Sequence, residues 1–138
     1  MTKDLWINLP SKDVAVSTEF YTALGFERNA MFGDGKHAAC FFVSTKKIAL
    51  MLFNHEQFAH FCRSEVADVT RNAEVMISID AASPDEVDAW ASRAEAAGGK
   101  VFGKPSPVQG WMYGCGFSDP DGHRWNVLYM DQSRMPNS

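Results

Sequence analysis

Glu74 and Asn126 are polar residues of this 138-residue chain that strand alternation sets among the side chains expected to line a cleft, where they could act on a bound molecule. A carboxylate in apolar surroundings becomes a stronger base, which suits proton abstraction beside a carbonyl. Glu74 is therefore a candidate general base or lone metal ligand; the alternative is an exposed carboxylate at a strand start, or one paired with Arg or Lys. The Asn126 amide can orient a ligand by hydrogen bonds, or equally satisfy a neighbouring backbone group. The histidines signal less. His55 and His60 lie a little over one helical turn apart, without a second cluster to complete a metal site. His37 begins a strand, and His123 sits in a turn where a structural role is the simpler reading. Cys115, between Gly114 and Gly116, has no base near it in sequence to make it a nucleophile. With Cys40 and Cys62 it forms an odd set lacking any C-x-x-C pair, which reads as reduced, mostly buried thiols.

The elements that must hold these groups are written twice. Residues 5–9 alternate as a strand. A helix follows, capped by Ser11 or Asp13, striped by Val14, Phe20, Tyr21 and Leu24, and ended by Gly25. Strands are then expected at 26–32, 37–43 and 47–53. The second half repeats the order. A strand at 74–80 precedes the capping box Ser83-Pro84-Asp85-Glu86 and a helix bearing Val87, Trp90, Ala91, Ala94 and Ala97. Gly98-Gly99 ends it, and strands follow at 100–104, 111–118 and 124–130. Asp119-Pro120-Asp121-Gly122 is a tight turn, since Pro fixes φ and Gly accepts φ > 0. The expectation is one α+β domain over 1–138. It contains two βαβββ modules, about 4–53 and 73–131, joined by a linker at 54–72 with a short helix around residues 55–62. The strands form a curved mixed sheet around a cleft, with helices on its outer face.

Period-two alternation assigns faces. Leu5, Ile7 and Leu9 oppose Trp6 and Asn8. Val75, Ile77 and Ile79 oppose Glu74, Met76 and Ser78. Trp125, Val127 and Tyr129 oppose Asn126, Leu128 and Met130. The uniformly apolar faces should meet the helices. Trp6, Asn8, Glu74, Met76, Asn126 and Leu128 are then expected to line the cleft, joined by Leu50 and, with less secure facing, Phe41, Trp111, Tyr113 and Cys115. Such a cleft is aromatic and apolar with a few polar groups, the make-up of a small-molecule pocket. Phe58 and Phe61, between the modules, would form a lid or an interface.

Three pieces in order, Leu9-Pro10-Ser11-Lys12-Asp13-Val14, Phe20-Tyr21-Thr22-Ala23-Leu24-Gly25-Phe26 and Ala96-Ala97-Gly98-Gly99-Lys100-Val101, combine with Asp119-Pro120-Asp121-Gly122 into a recognisable pattern. Together they resemble the vicinal oxygen chelate superfamily of glyoxalase I, bleomycin-resistance proteins and extradiol dioxygenases. The segments Trp6-Ile7-Asn8-Leu9-Pro10, Met112-Tyr113-Gly114 and Asp121-Gly122-His123-Arg124-Trp125 look closest to a glyoxalase-like bacterial subgroup. The resemblance implies a homodimer. It also implies four metal-ligand positions, one per strand on four strands, filled by His, Gln or Glu. Here those positions fall at Trp6, Leu50, Glu74 and Asn126.

Only Glu74 of these four is a strong ligand, so the expectation is no bound metal and no cofactor. The leading function is a protein that binds a small aromatic or amphipathic molecule, with Glu74 and Asn126 fixing its orientation. The alternatives are a lyase or isomerase using Glu74 as base, with or without a divalent metal, and a non-catalytic interaction module. A net charge of −4 argues against nucleic acid as a partner. No apolar run approaches the roughly 20 residues of a membrane span, and no signal-peptide pattern opens the chain, which predicts a soluble, cytoplasmic protein with no membrane partner.

Overall fold

Asp13 starts the first helix. In the computed structural model, which describes residues 1–136, its carboxylate accepts the Val16 N–H at 3.3 Å, and α1 runs over Val14–Leu24. Gly25 ends α1 at φ 101°, a left-handed position that suits glycine. Ser11 serves otherwise: its buried hydroxyl lies 2.7 Å from that of Ser17 on α1. In the second half, the Ser83 hydroxyl accepts the Glu86 N–H, and Glu86 reaches back to the Ala82 N–H at 2.7 Å, so the capping box forms and α3 spans Pro84–Ala96.

The chain divides into two compact units, the first Met1–Asp68 and the second starting at Val69. In the first, β1 (Trp6–Ser11) lies parallel to β4 (Ala49–Asn54). Next come β3 (Ala38–Phe42) and the short β2 (Glu27–Arg28), giving the order β1-β4-β3-β2. The second unit repeats this topology. Its order is β5-β8-β7-β6, built from Met76–Asp80, Arg124–Met130, Met112–Ser118 and Lys100–Val108. The fold is α+β, two βαβββ modules, with one four-stranded mixed sheet in each instead of one shared ladder. A short helix α2 (His55–Cys62) belongs to the first unit.

β2 and β6 differ most from expectation. β2 stops at Arg28 because the Asn29 side chain accepts the Met31 N–H at 3.2 Å and turns the chain away from the ladder. β6 instead extends to Val108 through Pro105 and Pro107. It is an edge strand with two register irregularities, where a missing N–H does little harm.

Each core lies between a helix and one face of its sheet. Phe20, Tyr21 and Leu24 of α1 are buried with Ala39, Phe41, Leu50 and Leu52. The Tyr21 ring sits 5.9 Å from Phe41 and 6.0 Å from Phe26. In the second unit Val87, Ala91 and Ala94 of α3 are buried with Phe117, Trp125 and Val127. Burying each large apolar side chain contributes about 1.5–3 kcal/mol. Among the described residues, no helix is long and apolar enough to cross a membrane.

Candidate ligand-binding site

The face of the first sheet opposite α1 carries Trp6, Asn8, Met51 and Phe53. Parallel register sets Trp6 beside Ala49, Asn8 beside Met51 and Pro10 beside Phe53, so these side chains share one face. Trp6 is 61% exposed. At the end of β4, Asn54 caps α2 by accepting the Gln57 N–H at 2.9 Å. Phe58, Phe61 and Cys62 follow at helical spacing, and the Phe61 ring packs edge-on to Phe53 at 5.1 Å. Between helix and sheet lies a cavity of about 510 Å³, lined by Asn8, Phe53, Phe58, Phe61 and Cys62. All five belong to the first unit. The wall is three aromatic rings, one amide and one thiol, without a charged side chain.

The second unit has an analogous open face. Met76, Ser78, Asn126 and Leu128 share it, and the Asn126 amide donates to the Ser78 hydroxyl at 3.2 Å. Glycines 114 and 116 of β7 fall on the same face. Leu128 packs against Gly114, Phe102 lies over Gly116, and the Arg124 guanidinium stacks 4.3 Å from the Phe102 centroid. At the tight turn, Asp119 accepts the N–H groups of Asp121, Gly122 and His123 at 2.8–3.0 Å. Asp119, Asp121 and His123 come within 4.8 Å of one another. Those three N–H bonds make Asp119 the organiser of the turn.

Several expected positions move. Leu50 is fully buried and pairs with Ile7, so it points toward α1 and not to the face of Trp6 and Asn8; Met51 holds the position beside Asn8. Phe41 pairs with Leu50 and is buried on the same helix-packed face. Tyr113 and Cys115 pair with Tyr129 and Val127 and also turn to the helix side. There the Tyr113 hydroxyl donates to Asp88 of α3 at 2.7 Å, and the Cys115 thiol lies 3.7 Å from the Val87 carbonyl. Trp111 is half-buried in the turn before β7, its carbonyl accepting the Asp131 N–H at 2.9 Å. Glu74 lies outside β5, in an exposed bend, because β5 begins at Met76 opposite Arg124. The desolvation on which its role as a general base rested is therefore not met. Phe53 and Cys62 line the cavity without being among the residues expected there; the apolar spacing 58, 61, 62 is the sequence signal for the helix side of the cavity.

The sequence profile described as the Glyoxalase/Bleomycin resistance protein/Dioxygenase superfamily matches residues 5–127. The chain belongs to this superfamily. Among curated relatives, the anthracycline biosynthesis protein DnrV of Streptomyces peucetius is 30% identical over 123 residues, which is 88% of this chain and 45% of the relative. The chain thus spans under half the length of the curated relatives it matches. Hypothetical protein SA1046 from S. aureus is a structural relative at 31% identity and TM-score 0.79, with 94% of each chain covered. A glyoxalase-related enzyme from Fulvimarina pelagi shares the fold at TM-score 0.80 and 18% identity, over 94% of this chain and 88% of that one.

The thiols of this glyoxalase-superfamily chain give a direct check on its two cores. Burial, with Asp88 nearby, pushes the Cys115 thiol up from 9.0 to about 11, and burial also raises Cys40. Cys62 is exposed. A thiol-reactive disulfide at pH 8 should therefore modify Cys62 rapidly, with Cys40 and Cys115 reacting only after denaturant is added. The folded state keeps the Cys115 proton where the unfolded chain loses it. The Cys115 contribution to stability is thus full below pH 9 and falls as pH rises toward 11. Denaturation midpoints between pH 8 and 11 in wild type and Cys115→Ala would read this slope, which should be shallower in the variant.

Proposed function

We propose that the chain binds a small, uncharged, aromatic or amphipathic molecule in the first unit's cavity, and does so without a metal. The observation that carries this reading is the wall itself: Phe53, Phe58 and Phe61 around about 510 Å³ of space, with Asn8 and Cys62 as the polar lining. Volume and composition are those of a pocket for a compact planar ligand. Relatives named for anthracycline biosynthesis add support, since anthracyclines are flat fused-ring compounds. Trp6, exposed on the same face two residues before Asn8, would extend the aromatic surface beyond the cavity.

The metal the superfamily implies does not fit the donors present. Trp6 offers no lone pair in the plane of its ring, and Leu50 is apolar and turned to the core. Met51, which takes the outward position instead, offers a soft thioether. Glu74 lies in a bend ahead of its strand, and Asn126 is a neutral amide bonded to Ser78. Asn126→Glu should therefore leave the chain without tight binding of Ni²⁺, Zn²⁺ or Mn²⁺ in calorimetry. Micromolar affinity appearing in that variant would show that one residue had been holding back an intact site. Sequestration needs no chemistry, so Glu74→Gln should not alter ligand binding. A homodimer remains part of the proposal, with sedimentation as its check.

The deciding experiment is direct titration with neutral planar aromatics, 1-methylnaphthalene and 1-naphthol first. Saturable binding near one per chain, weakened about tenfold or more by Phe58→Ala, is the expected result, since truncating a buried aromatic contact carries a loss of this order. Absence of saturable binding to the wild-type chain would end the proposal.

A further inference from the structure

The cavity holds one polar side chain that the protein leaves without a partner. Asn8 projects from β1 on the cavity face, its amide open to water, and no described residue hydrogen-bonds it. The other polar lining group is differently placed. The Cys62 thiol faces backbone carbonyls at the end of its own helix, Ala59 at 4.0 Å and Ser64 at 3.7 Å, and is a weak donor. The remaining wall is Phe53, Phe58 and Phe61.

Resting on the reading above, we infer that Asn8 determines ligand class: the cavity selects a neutral aromatic carrying a hydrogen-bonding oxygen, a phenol or an aryl ketone, bound edge-on to the Asn8 amide. The physical reasons are of two kinds. A ligand that fills the cavity strips water from Asn8, and an amide desolvated without a partner is heavily penalised. An oxygen on the ring edge removes that penalty. The amide offers both N–H donors and a carbonyl acceptor, so a phenol can donate or accept and a ketone can accept. Charge acts in the opposite direction. With no cation or anion in the wall, a carboxylate or ammonium on the ligand would lose its hydration without compensation.

Calorimetry on the full chain with three ring-matched probes separates these effects. 1-Naphthol should bind about tenfold more tightly than 1-methylnaphthalene, an expectation set by the usual penalty for an unpaired buried polar group. 1-Naphthoate should bind at least as weakly as 1-methylnaphthalene. Asn8→Leu should bring naphthol and methylnaphthalene to within about twofold of each other, by weakening naphthol and not by unfolding the chain. Asn8→Ser, which replaces the amide by a hydroxyl that can still donate and accept a hydrogen bond, should retain part of the preference; circular dichroism of both variants verifies the fold. A naphthol preference surviving in Asn8→Leu, or naphthoate binding as tightly as naphthol, overturns the inference while the cavity reading stands. No binding of any probe to the wild-type chain overturns both.

Discussion

Trp125→Ala should destabilise the protein by about 3–5 kcal/mol, the usual loss when a fully buried aromatic is cut back to a methyl. Trp125 is fully buried at the centre of β8. It pairs with Ile77 on one side and Phe117 on the other, and its ring stacks on Phe117 with centroids 6.2 Å apart and planes 4° apart. Truncation removes the transfer energy of the indole and leaves a hole whose walls are fixed by two ladders. Equilibrium urea denaturation measures the loss. Trp125→Phe, which keeps a ring against Phe117, should lose markedly less. Equal losses in the two variants would mean that the stacked pair is not what holds this sheet to α3.

The second large effect is expected at Gly122. Its φ of 102° lies in the left-handed region, and a Cβ there would stand 2.8 Å from the Val69 carbonyl oxygen and 3.3 Å from the Thr70 Cα. Left-handed strain in Gly122→Ala costs on the order of 1–3 kcal/mol. The clash adds to it, because the obstacle is backbone and cannot rotate away. Gly98 supplies the control: its φ is 97°, yet a Cβ there meets nothing within 4 Å. Gly98→Ala should therefore show the strain alone, and the difference between the two denaturation midpoints isolates the clash. If both variants lose the same stability, the segment at Val69 yields freely and the turn is less tightly held than its hydrogen bonds indicate.

Much of this architecture is legible in the residues, and the failures have physical causes. Caps and glycine stops gave the helices, because Asp13, Gly25, Ser83 and Gly98 act through local geometry. Alternation gave the faces of β1 and β8, where one face meets a helix and the other carries Asn8 or Asn126. It failed in β4. Ala49-Leu50-Met51-Leu52-Phe53 is apolar throughout, since one face meets α1 and the other meets the aromatic cavity, so parity cannot be read and Leu50 was assigned outward. It failed in β7 for another reason: Gly114 and Gly116 occupy the open face without side chains to mark it, which left Tyr113 and Cys115 looking like the lining. Glu74 was placed in a strand because Val75 continues the apolar pattern, but pairing, not pattern, sets where β5 begins. The cavity itself needed three dimensions, since Asn8 is far in sequence from Phe58 and Phe61.

The division at Asp68 and Val69 has a consequence for how the chain comes into being. Each unit is one unbroken stretch of sequence, so every strand of the first sheet has been made once residue 68 leaves the ribosome. At about 5–20 residues per second, that half is complete within roughly 3–14 s, and the second is then still to be made. Within each half the slowest search is the parallel pair that closes it, Trp6 finding Ala49 and later Met76 finding Arg124. Until β4 arrives, β1 offers an unpaired edge. The vulnerable moment in synthesis therefore falls twice, once just before each parallel strand is delivered.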